Sequence, residues 1–277
     1  MTAPCPNPYE RLRVQCEGGL FSEPISGAAC LGCALERKAP PCGYSYPLLV
    51  GLFHSIEDRS QEIHVTDLVT CLAKAYWSKT APAALDLKGL LTLTIGKALH
   101  LWVETAMLGD PHFQAEVAVE KDGLVGRIDF LGNGQIIDLK TTSWLAAGKE
   151  ANLDHQDQLN IYALWADEGC TLWAQYVDKY GASVCRSCRI AYRLVDGVPT
   201  CPGCGGTSSK AHNGAQLSPV AQRDRQAVER FAMLRKAILE NALALGEPPD
   251  PEPGWLCGKY CPYTQCKQNG RHDGRSN

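Results

Sequence analysis

An acid, an apolar residue and a base follow one another in Asp138-Leu139-Lys140, and a second acid, Asp129, stands on the other side of Asn133-Gly134. Asn-Gly between alternating residues is the strongest short-range signal of a β-hairpin. Read as a two-residue turn, it sets Phe130 opposite Ile137, Asp129 opposite Asp138 and Arg127 opposite Lys140. Pleating then puts Ile128, Phe130, Ile137 and Leu139 on one apolar face and Asp129, Asp138 and Lys140 on the other. Two carboxylates facing each other across a ladder repel, at a cost in stability unless a cation lies between them. A divalent metal resolves that conflict. Lys140, on the same side, can then reach a water or a phosphate held by the metal. The plainer alternative is an open sheet face on which Arg127 and Lys140 neutralise two solvated aspartates. The apolar reverse face and a candidate imidazole ligand, His100, weigh against it.

The 14 cysteines are the second chemical feature. The first residues lack the basic and apolar blocks of a secretion signal, so a reducing, cytoplasmic setting is expected, where such a count favours metal ligation over disulfides. Cys185-x2-Cys188-x12-Cys201-x2-Cys204 has the two-knuckle spacing of a zinc ribbon, a closed tetrahedral site of four thiolates. Cys257-x3-Cys261-x4-Cys266 forms a second group. Cys16, Cys30, Cys33 and Cys42 form a looser third, a candidate structural zinc site in which only Cys30-x2-Cys33 has knuckle spacing and Cys5 is a substitute ligand.

Elements must position these side chains. From Val65 the pattern is helical, with Thr66 as N-cap, Leu68, Val69, Leu72 and Tyr76 at helical intervals, and Cys71 inside the helix. A second helix is expected from about 95 to 107, with His100 beside a stripe of Leu99, Val103 and Met107. The period then changes to two: 115–120, 124–131 and 135–141 read as strands, the first two joined by Lys121-Asp122-Gly123. Helical spacing returns over 154–165, a strand follows over 171–177, and a long amphipathic helix is expected from about 220 to 245. Its Arg223, Arg225, Arg230, Arg235 and Lys236 could line a strand-binding groove with Lys259, Lys267, Arg271 and Arg275, with Trp144 or Tyr263 as stacking surfaces. A solvated helix face is the equal alternative. Residues 1 to about 50 show no sustained periodicity, so a metal rather than a core is expected to order them.

In order along the chain, Gly96-Lys97-Ala98-Leu99-His100, Gly126-Arg127-Ile128-Asp129, Ile136-Ile137-Asp138-Leu139-Lys140-Thr141-Thr142 and Gln158-Leu159-Asn160-Ile161-Tyr162 resemble the motifs of the PD-(D/E)XK nuclease superfamily. The resemblance is greatest to its RecB-like branch, which includes the CRISPR-associated exonucleases and related phage nucleases, and it spans roughly residues 64–177 and 218–266. It implies that His100, Asp129 and Asp138 bind Mg2+ or Mn2+, with the Leu139 carbonyl as a further ligand. Oxygen ligands suit these ions and one imidazole favours Mn2+. The metal would activate water and neutralise charge on the scissile phosphate while Lys140 orients the water. Gln158 and Tyr162, one helical turn apart, would approach the substrate backbone or Lys140. Glu104 and Glu116 are read as structural acids. In the iron–sulfur members of the branch, one cysteine precedes the nuclease motifs and three come from the C-terminal end. Cys71 with Cys257, Cys261 and Cys266 fits that split and implies a [4Fe-4S] cluster. The family's terminal spacing is C-x2-C-x5-C, where this chain has x3 and x4, so zinc stays an alternative at that site.

With 27 basic and 30 acidic side chains the net charge is -3. No global positive field draws the chain to nucleic acid or to an anionic membrane, so any phosphate contact must be local. The longest apolar run, 46–53, is too short to span a bilayer. The expected architecture is α/β: a restriction-endonuclease-like core with a central mixed sheet flanked by helices, plus small cysteine-rich metal-binding modules. Its parts would be an N-terminal module over 1–55, the first part of the core over 56–182, an inserted ribbon over 183–210, and the last core helix with the iron–sulfur segment over 211–277. The expected function is a metal-dependent DNA exonuclease acting on single strands or duplex ends, in recombination, repair or CRISPR spacer processing, with recombination or CRISPR adaptation proteins as partners. One rival is a catalytically inactive zinc-ribbon protein that binds nucleic acid or serves as an adaptor. The other, an iron–sulfur redox enzyme, is disfavoured because no flavin, nicotinamide or radical motif accompanies the cysteines.

Overall fold

The computed structural model describes residues 9–16, 19–37, 40–56, 62–81, 83–84, 86–142, 150–166, 169–178, 183–185, 187, 191–192, 201, 203–205, 209–210, 215–252, 257, 261–263 and 265–266. In chain order the elements begin with β1 (Arg13–Val14), β2 (Ile25–Ser26), α1 (Gly27–Glu36), α2 (Tyr46–His54), β3 (Ile63–His64), α3 (Val65–Val69), α4 (Leu72–Thr80) and α5 (Leu87–Ala106). They continue with β4 (Phe113–Lys121), β5 (Leu124–Gly132), β6 (Gln135–Thr142), α6 (Leu153–Tyr162) and β7 (Thr171–Asp178). The last are β8 (Ser183–Cys185), β9 (Ala191–Tyr192), β10 (Ser209–Lys210), β11 (Ala215–Val220) and α7 (Arg225–Leu245). The chain forms two compact units, one of residues 1–63, 70–98 and 235–277 and the other of 64–69 and 99–234.

The second unit is built around a mixed sheet ordered β11-β7-β6-β5-β3, with β4 also paired to β5. β5 runs antiparallel to β4 and β6, β7 runs parallel to β6, and β11 returns antiparallel to β7. A parallel pair needs a crossover, and α6 provides it between β6 and β7. Helices α3 and α6 pack against β5, β6 and β7. This is the expected α/β core with a central mixed sheet flanked by helices. Both hairpins close as primed turns: Asp122 and Gly123 have φ of 53° and 70°, and Asn133 and Gly134 of 47° and 66°. The segment after β7 adds a small antiparallel sheet ordered β10-β8-β9. Strand β11 has no counterpart among the expected elements, and it carries Pro219, a residue disfavoured in a central strand. It lies at the end of the sheet order, where a proline costs no inner ladder bond.

Caps explain where helix limits differ from the expected ones. The helix expected to run on from Val65 is broken: α3 stops at Val69, α4 starts at Leu72, and Cys71 is the N-cap of α4 rather than an interior residue. The start of α3 is fixed by Asp67, whose Oδ2 accepts the His64 N–H at 2.9 Å. Helix α5 begins at Leu87, two turns before the expected start, because Asp86 accepts from the Lys88 and Gly89 N–H groups at 3.2 and 3.1 Å. Helix α7 starts only after Asp224, which takes the Ala227 N–H at 2.8 Å.

The first unit does have a core of its own. Val14, Cys30, Leu31, Ala34, Leu49, Leu52, Phe53, Leu87 and Leu90 form one buried apolar cluster. The expectation that residues 1–50 lack a core is thereby corrected: α1 and α2 are too short to show a period, yet each buries an apolar face. Among the described residues no helix is long and apolar enough to cross a membrane.

One glycine couples the sheet to α6. A Cβ on Gly126 of β5 would stand 2.8 Å from Tyr162 Cε1 and 3.1 Å from Val65 Cγ2. Gly126→Ala is therefore expected to lower stability by about 1–3 kcal/mol through overpacking. A denaturant titration checks it, and an unchanged midpoint would mean that Tyr162 can yield at no cost.

Candidate active site

The β5–β6 ladder keeps the expected register from Gly132 opposite Gln135 to Phe130 opposite Ile137, where it ends. Beyond it, a side chain takes over the bonding. Asp129 Oδ2 accepts the Leu139 N–H at 2.6 Å, so the carboxylate stands where a strand carbonyl would otherwise serve. The acidic face is not an open one. Ile136 and Asp138 on that face are 0% and 1% exposed, and Leu139 on the reverse is also buried, which rules out two solvated aspartates. Asp138 Oδ1 accepts from Lys140 Nζ at 2.7 Å. Its Oδ2 is buried and has no hydrogen-bond partner among the described residues. A buried carboxylate oxygen without a donor is costly, and a bound cation would satisfy it.

Three further ligand atoms converge beside this pair. His100 on α5 places Nδ1 3.6 Å from Asp129 Oδ1 and 3.7 Å from Glu116 Oε1. One ligand atom from each of His100, Glu116 and Asp129 lies within 4.8 Å of the others. Glu116 belongs to this group although the sequence reading left it as structural. Its other oxygen, Oε2, is 3.1 Å from Arg127 Nη1. The backbone marks it as well: Glu116 has φ 52° in the middle of β4, between the ladder pairs Ala115–Phe130 and Val117–Ile128. A non-glycine residue in that region inside a strand is strained, and such strain concentrates at functional positions.

The electrostatics express a shortage of positive charge. Burial first, then the neighbouring Asp138, pushes the Asp129 carboxyl up to about 7, against the opposing pull of Lys140, His100 and the Leu139 N–H. Burial works against the Lys140 ammonium, yet Asp138, Asp129 and the hydrogen bond to Asp138 hold its pKa above the ordinary lysine value. The neighbouring Glu116 carboxylate raises His100 despite burial, and the His100 imidazole first of all lowers Glu116. Carboxylate oxygens with one imidazole suit a hard or borderline divalent ion. The crowded acids and the unpartnered Asp138 oxygen therefore fit Mg2+ or Mn2+.

The expected helper residues are placed differently. Gln158 Nε2 donates to Tyr162 Oη at 3.1 Å, and both side chains are buried. Burial raises the Tyr162 pKa. Tyr176, beside Lys140 in the β6–β7 ladder, is the anchor that no motif indicated. Its hydroxyl accepts the Asn152 N–H at 3.1 Å and lies 2.7 Å from His155 Nδ1, tying the start of α6 to the strand next to the lysine.

Four of the basic residues expected to line a groove are already engaged. Arg223 pairs with Asp157, Arg225 donates to the Ala163 and Leu164 carbonyls, Arg235 pairs with Glu252 and the Thr70 carbonyl, and Lys236 pairs with Glu240. Tyr263 is buried and offers no stacking face. Trp144, Lys259, Lys267, Arg271 and Arg275 lie outside the described residues.

Of the ribbon cysteines, Cys201 is buried, Cys204 is exposed, and Cys185 ends β8; Cys188 lies outside the described residues. Cys71, Cys257, Cys261 and Cys266 all fall in the first unit, Cys261 buried. Cys16, Cys30, Cys33 and Cys42 are neighbours there. Burial first, then Cys42, Cys33 and Cys16, pushes the Cys30 thiol up to about 11.

A mixed sheet that carries opposed acids beside a lysine is the arrangement of metal-dependent nucleases. Residues 50–266 match the family model described as PD-(D/E)XK nuclease superfamily, and the chain belongs to that superfamily. Its chemistry is hydrolysis of nucleic acid with divalent ions such as Mg2+ or Mn2+. The chain is also similar to a solved structure described as "Crystal structure of SSO0001", at 18% identity and a TM-score of 0.44, over 79% of this chain and 94% of that one. No curated protein matches it.

Proposed function

We propose that the chain is a DNA exonuclease of the RecB-like kind, acting on single strands or duplex ends in recombination, repair or CRISPR spacer processing. The observation that carries this reading is the meeting of His100, Glu116 and Asp129 beside the Asp138–Lys140 pair. His100, Asp129, Asp138 and Glu116, with the Leu139 carbonyl as a further ligand, would hold a divalent ion, which would supply charge neutralisation and water activation. Lys140 directs its ammonium to the attacking water or the phosphate, held in place by Asp138. Gln158 and Tyr162 act as a buried pair that positions Lys140 from α6. Cys71, Cys257, Cys261 and Cys266 hold a [4Fe-4S] cluster, with zinc as the alternative, and Cys185, Cys188, Cys201 and Cys204 hold a ribbon zinc; both are structural.

End-labelled single-stranded and duplex DNA, incubated with Mg2+, Mn2+ or chelator, tests the reading. Mononucleotides or short products released progressively from ends, only with a divalent ion, are expected. Cleavage of closed circular DNA at the same rate would make the enzyme an endonuclease, and no cleavage with any ion would leave an inactive nuclease fold.

A further inference from the structure

The nuclease chemistry uses none of Cys16, Cys30, Cys33 and Cys42. Cys30 and Cys33 lie one turn apart on α1, Cys16 follows β1, and Cys42 precedes α2. All four line a single cleft whose other walls are apolar, Ile25 and Leu87 among them. The space among them is about 20 Å³, room for one or two water-sized spheres. That is room for one ion. None of the four is in a disulfide.

We propose that Cys16, Cys30, Cys33 and Cys42 bind one zinc ion, a structural site in the first unit that is separate from the nuclease centre. Four thiolates are a closed tetrahedral set for zinc and leave no position open for substrate or water. Bound zinc would hold the sulfurs roughly 3.8 Å apart, from Zn–S bonds of about 2.3 Å. No three of them lie within 4.8 Å of one another as the chain stands, so binding draws the group together. Cys16 and Cys42 lie outside helices and supply that movement, whereas Cys30 and Cys33 are fixed on α1. The ion would join the end of β1, helix α1 and the approach to α2.

The test uses the full-length protein. Cys16, Cys33 and Cys42 are half-exposed, so as unligated thiols they would react with iodoacetamide. Mass spectrometry is expected to find them protected in the purified protein and alkylated after a strong zinc chelator, each by at least about tenfold in rate. Elemental analysis of the Cys33→Ala/Cys42→Ala double variant is expected to show one zinc fewer per chain, with iron unchanged. Equal alkylation before and after chelation, undiminished zinc in the variant, or loss of iron instead of zinc would each overturn the proposal. Should the variant fail to fold, the alkylation of wild-type protein decides by itself.

Discussion

Asp138→Asn and Lys140→Ala are each expected to reduce divalent-ion-dependent cleavage by roughly a thousandfold or more, the scale of losing a group that acts on the reacting atoms. Asp138 serves both sides of the chemistry. Its Oδ1 holds Lys140 Nζ at 2.7 Å, and its Oδ2, without a hydrogen-bond partner among the described residues, is left for a cation. Asparagine keeps the volume, so the sheet should persist, but it removes the charge that anchors both the ion and the lysine. Lys140→Ala removes the ammonium and leaves two buried acids with less neutralisation. Because the two residues act as a unit, the double variant should lose little more than either single one. Single-turnover cleavage rates check this, alongside circular dichroism and DNA affinity, which should both stay near wild type. Wild-type-like cleavage in either folded variant would remove the pair from the mechanism. A double variant that loses the product of the two single effects would show that they act independently.

The sheet was readable because its turns carry their own chemistry. Asn133-Gly134 and Asp122-Gly123 each need two positive φ angles, and few other residue pairs adopt them cheaply. From the first of these turns, Asp129, Asp138 and Lys140 follow by counting, and the observed register agrees as far as the ladder runs. The same count from Asp122-Gly123 would have set Glu116 opposite Asp129. Lys121-Asp122-Gly123 reads as a three-residue turn and hides that count, although the ladder pairs Lys121 with Leu124. What pattern could not convey is which charges are already spent. Arg223 and Arg235 look like a basic helix face, yet each finds a carboxylate far away in sequence, Asp157 and Glu252. Gln158 and Tyr162 were visible as a helical pair but not as a buried one bonded to itself, and Tyr176 carries no motif at all. Short apolar runs such as Tyr46–His54 give no period, so the core of the first unit had no signature before its helices met.

The second large effect concerns stability. In protein without added divalent ion, burial and Asp138 hold the Asp129 pKa at about 7, far above the ordinary aspartate value of 3.8. The folded state therefore binds a proton that the unfolded chain has already released. Across the window between about 4 and 7 the native state holds more protons than the unfolded one, so unfolding free energy falls as pH rises and levels off above about 7. Each pKa unit corresponds to about 1.4 kcal/mol, which makes the loss on the order of 2–4 kcal/mol. Asp129→Asn abolishes that titration while keeping an oxygen to accept the Leu139 N–H. The variant should thus exceed wild type in stability by more at pH 8 than at pH 5.5, where about half of the loss has already occurred, and its own fall across this range should be the smaller one, left to His100, whose raised pKa also titrates there. Manganese should reverse the order at pH 8, raising the melting temperature of wild type by several degrees and that of the variant by little, because bound ion stabilises only a chain that retains its ligand. Urea titrations from pH 5.5 to 8, with and without Mn2+, measure both. If wild-type stability instead rises through this window, or if the two proteins keep a constant difference across it, Asp129 is not the strained acid of the site and the cation must be held elsewhere.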